Sequence, residues 1–188
     1  MDAHNAIYAP ESERLPIRPD DLLQFRLGRL LLLLDTVQQQ TNLKPLDIER
    51  LGYYDFFSDN PLLIFDNESK EFRSILLAGF ETKNLSYQSS AQRFSNRRAR
   101  IQHDLALLVS YKTAQVKVTQ GKIAYSITAG GQELVAGMHA LYARAYQRSA
   151  RLVVTRLNRL SDSRLQEEAK RWLRAEHLLI DLYQPGLA

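Results

Sequence analysis

Residues 97–138 read RRARIQHDLALLVSYKTAQVKVTQGKIAYSITAGGQELVAGM, and the period of their apolar side chains changes twice. Ile101, Leu105, Leu108 and Val109 recur at helical spacing. From Val116 the period is two: Val116 and Val118 flank Lys117, and Ile123, Tyr125 and Ile127 alternate after the turn Thr119-Gln120-Gly121-Lys122. That pattern predicts a β-hairpin. Gly130-Gly131 stops the second strand, and Leu134, Met138 and Leu141 resume a helical period. Helix, short hairpin and helix make up the distal half of a winged helix. The hairpin is the wing, and the preceding helix takes the place of the recognition helix. The fold expected is mainly α with a small β-hairpin: a winged-helix-like domain with additional N- and C-terminal helices.

The same stretch concentrates positive charge. Residues 1–90 carry 9 Lys+Arg against 14 Asp+Glu, a balance of −5, whereas residues 91–160 carry 12 against 2, a balance of +10. Arg93, Arg97, Arg98 and Arg100 crowd the start of the third helix, where cations oppose the helix dipole unless an anion answers them. Lys112, Lys117 and Lys122 decorate its end and the wing. Arg144, Arg148, Arg151 and Arg159 fall on about a quarter of the circumference of the helix that follows. Together these predict a basic patch for DNA or an acidic partner protein. Gln102, His103, Ala106 and Ser110 form the exposed face that would meet bases in a DNA reader. Replacing Arg97, Arg98 and Arg100 by Glu is expected to abolish function without unfolding the chain, because exposed charge contributes little to stability.

Outside this stretch, Pro10, Pro16 and Pro19 make residues 1–19 an extended arm. A helix is expected from Asp20-Asp21 to about Gln40. Leu23, Leu27, Leu30, Leu31 and Leu34 form its buried stripe, and Arg26, Arg29 and Asp35 face outward. Leu32 and Leu33 widen the apolar surface and are assigned to a partner interface. Pro45 opens a second helix that runs to Phe57 and ends before Asp59-Asn60-Pro61. Asp47, Glu49, Asp55 and Asp59 read as solvated surface rather than as a metal site.

Leu62 to Phe65 is a strand or a buried helix end, and Phe72, Ile75, Leu76 and Phe80 have helical spacing. The helix from Gly131 is expected to continue unbroken to about Leu160. Ser161-Asp162-Ser163 caps a last helix whose buried face is Leu165, Ala169, Trp172, Leu173 and Leu179. The domain boundaries expected are an arm at 1–19, a winged-helix-like body at 20–160 with an insert at about 59–96, and a C-terminal extension at 161–188.

Of the 188 residues, 45% are apolar and none is Cys, so disulfide and thiolate chemistry are excluded. No run of about 18 apolar residues occurs, and the acidic, polar N-terminus is unlike a secretory signal. The expectation is a cytoplasmic protein. No phosphate-binding loop is present, and His4, His103, His139 and His177 are scattered. No catalytic or metal-ligating constellation is recognisable, so the chain is expected to be no enzyme and to need no cofactor.

Leu30-Leu-Leu-Leu-Leu-Asp35, Leu46-Asp-Ile-Glu-Arg-Leu51, Tyr54-Asp-Phe-Phe-Ser-Asp-Asn-Pro61 and the Arg97–Leu108 helix with its wing resemble the middle component of ABC-three-component systems. That family includes the small (LmuC-type) subunit of the Lamassu anti-phage and anti-plasmid defence complexes. The resemblance covers about residues 22–150. It implies a non-enzymatic adaptor between an SMC-like ATPase with Rad50-type heads and a nuclease or other effector, in a machine that senses foreign DNA; contact of the adaptor with double-stranded DNA is compatible with that role and not required by it. The other reading of the residues is a dimeric winged-helix regulator of transcription.

Overall fold

The computed structural model describes residues 19–40, 46–81, 89–119 and 121–181, with the side chains of 119 and 175–181 excepted. After a 3-10 turn at Pro19–Asp21 come α1 (Leu23–Gln38), α2 (Ile48–Asp59), a second 3-10 turn (Pro61–Leu63), α3 (Lys70–Leu77) and α4 (Ser90–Ser110). Strands β1 (Ala114–Thr119) and β2 (Lys122–Ile127) follow, then α5 (Ala129–Ala136), α6 (Leu141–Asn158) and α7 (Asp162–Asp181). Among the described residues helices dominate, with one two-stranded antiparallel hairpin placed where the change of period put it.

α1 is the axis. Its five consecutive leucines, Leu30 to Leu34, are each at most 4% exposed. A helix that is apolar all round must be covered all round, and α2, α4, α5, α6 and β2 supply the cover. Leu32 and Leu33 are therefore core of this chain, not a surface kept for a partner. Arg29 and Asp35 are buried too, because the helix has no solvent side at their level. Arg26 is mostly covered by its ion pair to α4.

The Asp47 side chain caps α2 by accepting from the Arg50 N–H; Pro45 lies outside the described residues. Beyond Pro61–Leu63, Ile64 and Phe65 are buried, so Leu62 to Phe65 is a turn entering the core rather than a strand. Ser69 caps α3, which buries Phe72 and Ile75.

α4 buries Phe94, Ile101, Leu105 and Leu108. Lys112 closes it at φ 58, a conformation uncommon for a residue with a side chain. The hairpin register pairs Ala114 with Ile127, Val116 with Tyr125 and Val118 with Ile123. These six side chains share one face, whose base enters the core: Ala114 is 3% and Ile127 1% exposed.

The helix expected to run from Gly131 to about Leu160 is two helices. α5 lies against the hairpin base so closely that a Cβ on Gly131 would sit 2.2 Å from the Thr113 carbonyl oxygen. α6 instead runs along α1 and α2, burying Ala143, Tyr146, Ala150, Val153 and Leu157. One straight helix cannot follow both directions, and the chain breaks at Gly137. Leu134 and Leu141, whose spacing suggested continuity, are 53% and 76% exposed. The Ser161 hydroxyl then accepts from the Arg164 N–H, the expected cap, and α7 buries Leu165, Ala169 and Leu173.

Candidate functional site

Asp55 and Asp59 are one helical turn apart on α2, so their carboxylates share a face. That face is turned inward. Arg29 of α1 donates through Nε to Asp55 Oδ1 at 3.0 Å. Arg97 of α4 reaches Asp59 at 2.7 Å and Asp20, in the first 3-10 turn, at 2.8 Å. Arg29 also pairs with Asp20. Tyr142 and Tyr146 of α6 donate their hydroxyls to Asp59 at 2.9 Å and to Asp55 at 3.2 Å. Two guanidiniums and three carboxylates thus meet where the first turn, α1, α2, α4 and α6 converge.

The charge states follow from this packing. Burial pushes the Asp20 carboxyl up, but Arg97 and Arg29 outweigh it and hold it at about 2. Asp59 is lowered for the same reasons. Burial first, and then the neighbouring carboxylates, push the Tyr142 and Tyr146 hydroxyls up. These aspartates stay charged and these phenols neutral at physiological pH. Such groups hold helices together; none of them is poised to pass a proton near neutrality. Asp55 and Asp59 are accordingly not solvated surface, as their spacing around the helix had suggested.

A second cluster surrounds Arg50, which is 2% exposed. Its guanidinium donates to Asp162 at 2.5 Å, to the Leu160 and Leu157 carbonyls at 3.1 and 3.3 Å, and to the Tyr54 hydroxyl at 3.1 Å. Lys122 joins it from the wing, 3.0 Å from Asp162 and 3.5 Å from Asp47. This cluster pins the hairpin tip to the starts of α2 and α7. Between α1 and α4, Arg26 holds Asp104 through two bonds of 2.7 and 3.0 Å. Sequence reasoning passed over Arg50 and Asp104. Their one legible signal was a charged residue amid an apolar helical pattern.

The proposed basic patch is largely spent inside the molecule. Arg97 is mostly buried in the first cluster. Arg93 donates to Asn60 at 2.8 Å, Arg98 pairs with Glu49, and Arg100 reaches Asp21 at 3.5 Å. Arg148 donates to the Ser74 hydroxyl at 2.8 Å. Much of the positive charge of residues 91–160 therefore lies against the acidic first half of the chain. Arg97 cannot be reversed without touching the core, contrary to the expectation for the triple Glu variant. Lys112, Lys117 and Arg144 are exposed and have no ion-pair partner among the described residues. Arg151 is exposed and lies near Asp35, whose carboxyl is pushed up by burial and only partly restrained by this cation. Gln102, His103, Ala106 and Ser110 line the exposed face of α4.

Two open clefts flank these clusters. One, of about 450 Å³, is lined by Asp59, Asn60, Phe80, Arg93, Leu141 and Tyr142. The other, of about 470 Å³, is lined by Ile48, Glu49, Arg98 and Gln102. Among the described residues no group of three or more His, Asp or Glu is placed to hold a metal ion, and no helix is long and apolar enough to cross a membrane.

No curated protein and no solved structure matches the chain. A family model does, over residues 27–176, and its description is ABC-three component (ABC-3C) system Middle Component 2. The matched residues include most of α1, both ion clusters except Asp20, the hairpin and most of α7. The chain belongs to the middle component 2 family of ABC-three-component systems.

Proposed function

We propose that this chain is a non-catalytic adaptor, of the Lamassu small-subunit kind, working in the cytoplasm between an SMC/Rad50-like ATPase and a nuclease-type effector. The observation that carries the reading is the family match across α1 to α7, since a middle component works with other subunits. The ion clusters support it. They cross-link α1, α2, α4, α6 and α7 through ion pairs and tyrosine hydrogen bonds. A body so braced transmits force or position between partners better than it performs acid–base chemistry. DNA is compatible with this role and not required by it; Lys112, Lys117, Arg144 and Arg151 are the cations that would meet its phosphates.

The test is co-expression with the subunits encoded beside it, followed by mass determination of the purified complex. A stable complex containing a coiled-coil ATPase is the expected result. A homodimer that binds one particular duplex would overturn the adaptor and establish the transcriptional regulator instead.

A further inference from the structure

The wing has one edge tied to the body at Tyr125 and one open edge. Thr128 donates its N–H to the Thr113 carbonyl at 3.1 Å, which fixes the phase of the ladder. Partners 115 and 126, and 117 and 124, therefore exchange bonds across the hairpin, while the backbone groups of residues 116, 118, 123 and 125 point away from it. On the β2 side, Tyr125 N–H is taken by the Leu46 carbonyl at 3.0 Å. On the β1 side, no described residue bonds to the outward N–H or C=O of Val116 or Val118.

This open edge carries an apolar face. Val116 is 46%, Val118 76% and Ile123 58% exposed, all on the same side of the hairpin. The opposite side at the tip is held down, with Ala124 buried and Lys122 bound to Asp47 and Asp162. The wing therefore cannot fold its apolar face inward without breaking the Arg50 cluster. Lys117, on the held-down side, is exposed and lacks an acidic partner among the described residues, as does Lys112 at the foot of β1. An exposed strand edge is normally blunted by charge; on this one Lys117 stands between two exposed valines.

From this we infer that β1 is a docking edge for an extended strand of another subunit. The strand pairs with the outward groups of Val116 and Val118, as in strand addition to a sheet. Its residues on the Val116–Val118–Ile123 side are apolar. Its residues on the Lys117 side are acidic, which matches the unpaired cations. Duplex DNA fits this face poorly, because three aliphatic side chains offer phosphates nothing. The inference rests on the adaptor reading only in taking the strand from a partner subunit.

The test is amide hydrogen exchange at Val116 and Val118, in the free chain and in the complex purified with the ATPase and effector subunits encoded beside it. Exchange of both amides is expected to slow at least about tenfold in the complex. A Val118→Pro variant removes an outward N–H without touching the β1–β2 ladder, and is expected to weaken the complex at least about tenfold. If that variant fails to fold, the exchange measurement decides alone.

A complex in which both amides exchange as fast as in the free chain overturns this inference and leaves the adaptor intact. Failure of the wild-type chain to bind either subunit overturns both. Slowing produced by a DNA duplex alone, or by a second copy of this chain at higher concentration, replaces the partner strand with that occupant and overturns the assignment.

Discussion

Arg29 and Asp55 form an ion pair at 3.0 Å between α1 and α2, and both side chains are 2% exposed. The pair lies beside the all-leucine segment of α1. It is a point at which the leucine-rich helix is joined by charge to α2. Removing Asp55 leaves Arg29 buried with Asp20 and Asp59 as its remaining anions, and removing Arg29 leaves Asp55 with Arg97 at 3.8 Å. Asp55→Ala is therefore expected to destabilise the fold by about 3 kcal/mol, the low end for a broken buried pair. Replacing both, as Arg29→Met with Asp55→Leu, is expected to recover most of that loss. Denaturant unfolding of the two single variants and the double variant checks the coupling.

Arg97 and Arg98 are neighbours in sequence with opposite fates. Arg97→Glu would set an anion against Asp20, Asp55 and Asp59, and is expected to prevent stable folding. Arg98→Glu and Arg100→Glu lose exposed pairs only and are expected to cost less than about 1 kcal/mol each. Thermal unfolding of the three variants separates the buried cation from the surface ones. Equal effects would contradict the burial of Arg97.

The acid limb of stability is set in part by two carboxyls. Burial raises Asp20, but Arg97 and Arg29 hold it at about 2; Arg50 and Lys122 hold Asp162 at about 2, against an ordinary 3.8. A depressed folded value means stabilisation that is complete above the ordinary value and is lost as pH falls from about 3.8 towards about 2. Stability is therefore expected to be flat between roughly pH 7 and 5 and to decline below about 4. Asp20→Asn is expected to flatten that decline when denaturation midpoints are measured against pH.

Two adjacent glycines answer differently to a methyl group. A Cβ on Gly131 would meet the Thr113 oxygen at 2.2 Å and Ile127 Cγ1 at 2.6 Å, whereas on Gly130 it meets only Thr128 Oγ1 at 4.0 Å. Gly131→Ala is expected to destabilise by about 1–3 kcal/mol. Gly130→Ala, inside the same helix, is expected to be neutral or to stabilise by up to about 1 kcal/mol. Thermal unfolding of the pair distinguishes a packing requirement from mere helix propensity.

The hairpin, α4 and α7 were legible because their signals are local. Alternation at Val116, Val118, Ile123, Tyr125 and Ile127 needs no knowledge of neighbours, nor does the Ser161 cap. The break between α5 and α6 was not legible, because the apolar period carries through it at Leu134, Met138 and Leu141. What breaks the helix is the demand that one half seat on Thr113 and the other on α1 and α2. The basic patch misled for a related reason. Charge balance by segment shows where cations are along the chain, and not which acidic residues fold against them.

By itself the sequence determined the mainly helical class, the wing and its turn, most helix starts and the absence of cysteine chemistry. It also carried the strings that place the chain in its family. Those properties depend on residues a few positions apart, where backbone geometry converts spacing directly into a face or a turn. Only the tertiary structure decided that Leu32 and Leu33 are core, that Asp55 is buried and Asp59 half-buried beside it, and that Arg50 and Arg97 are braces. Each of those outcomes depends on partners tens of residues away: Asp55 and Arg29 are 26 apart, Asp20 and Arg97 are 77 apart, and Arg50 and Asp162 are 112 apart. Burial makes a charge seek its opposite wherever the fold brings one, and no local period records which one that is.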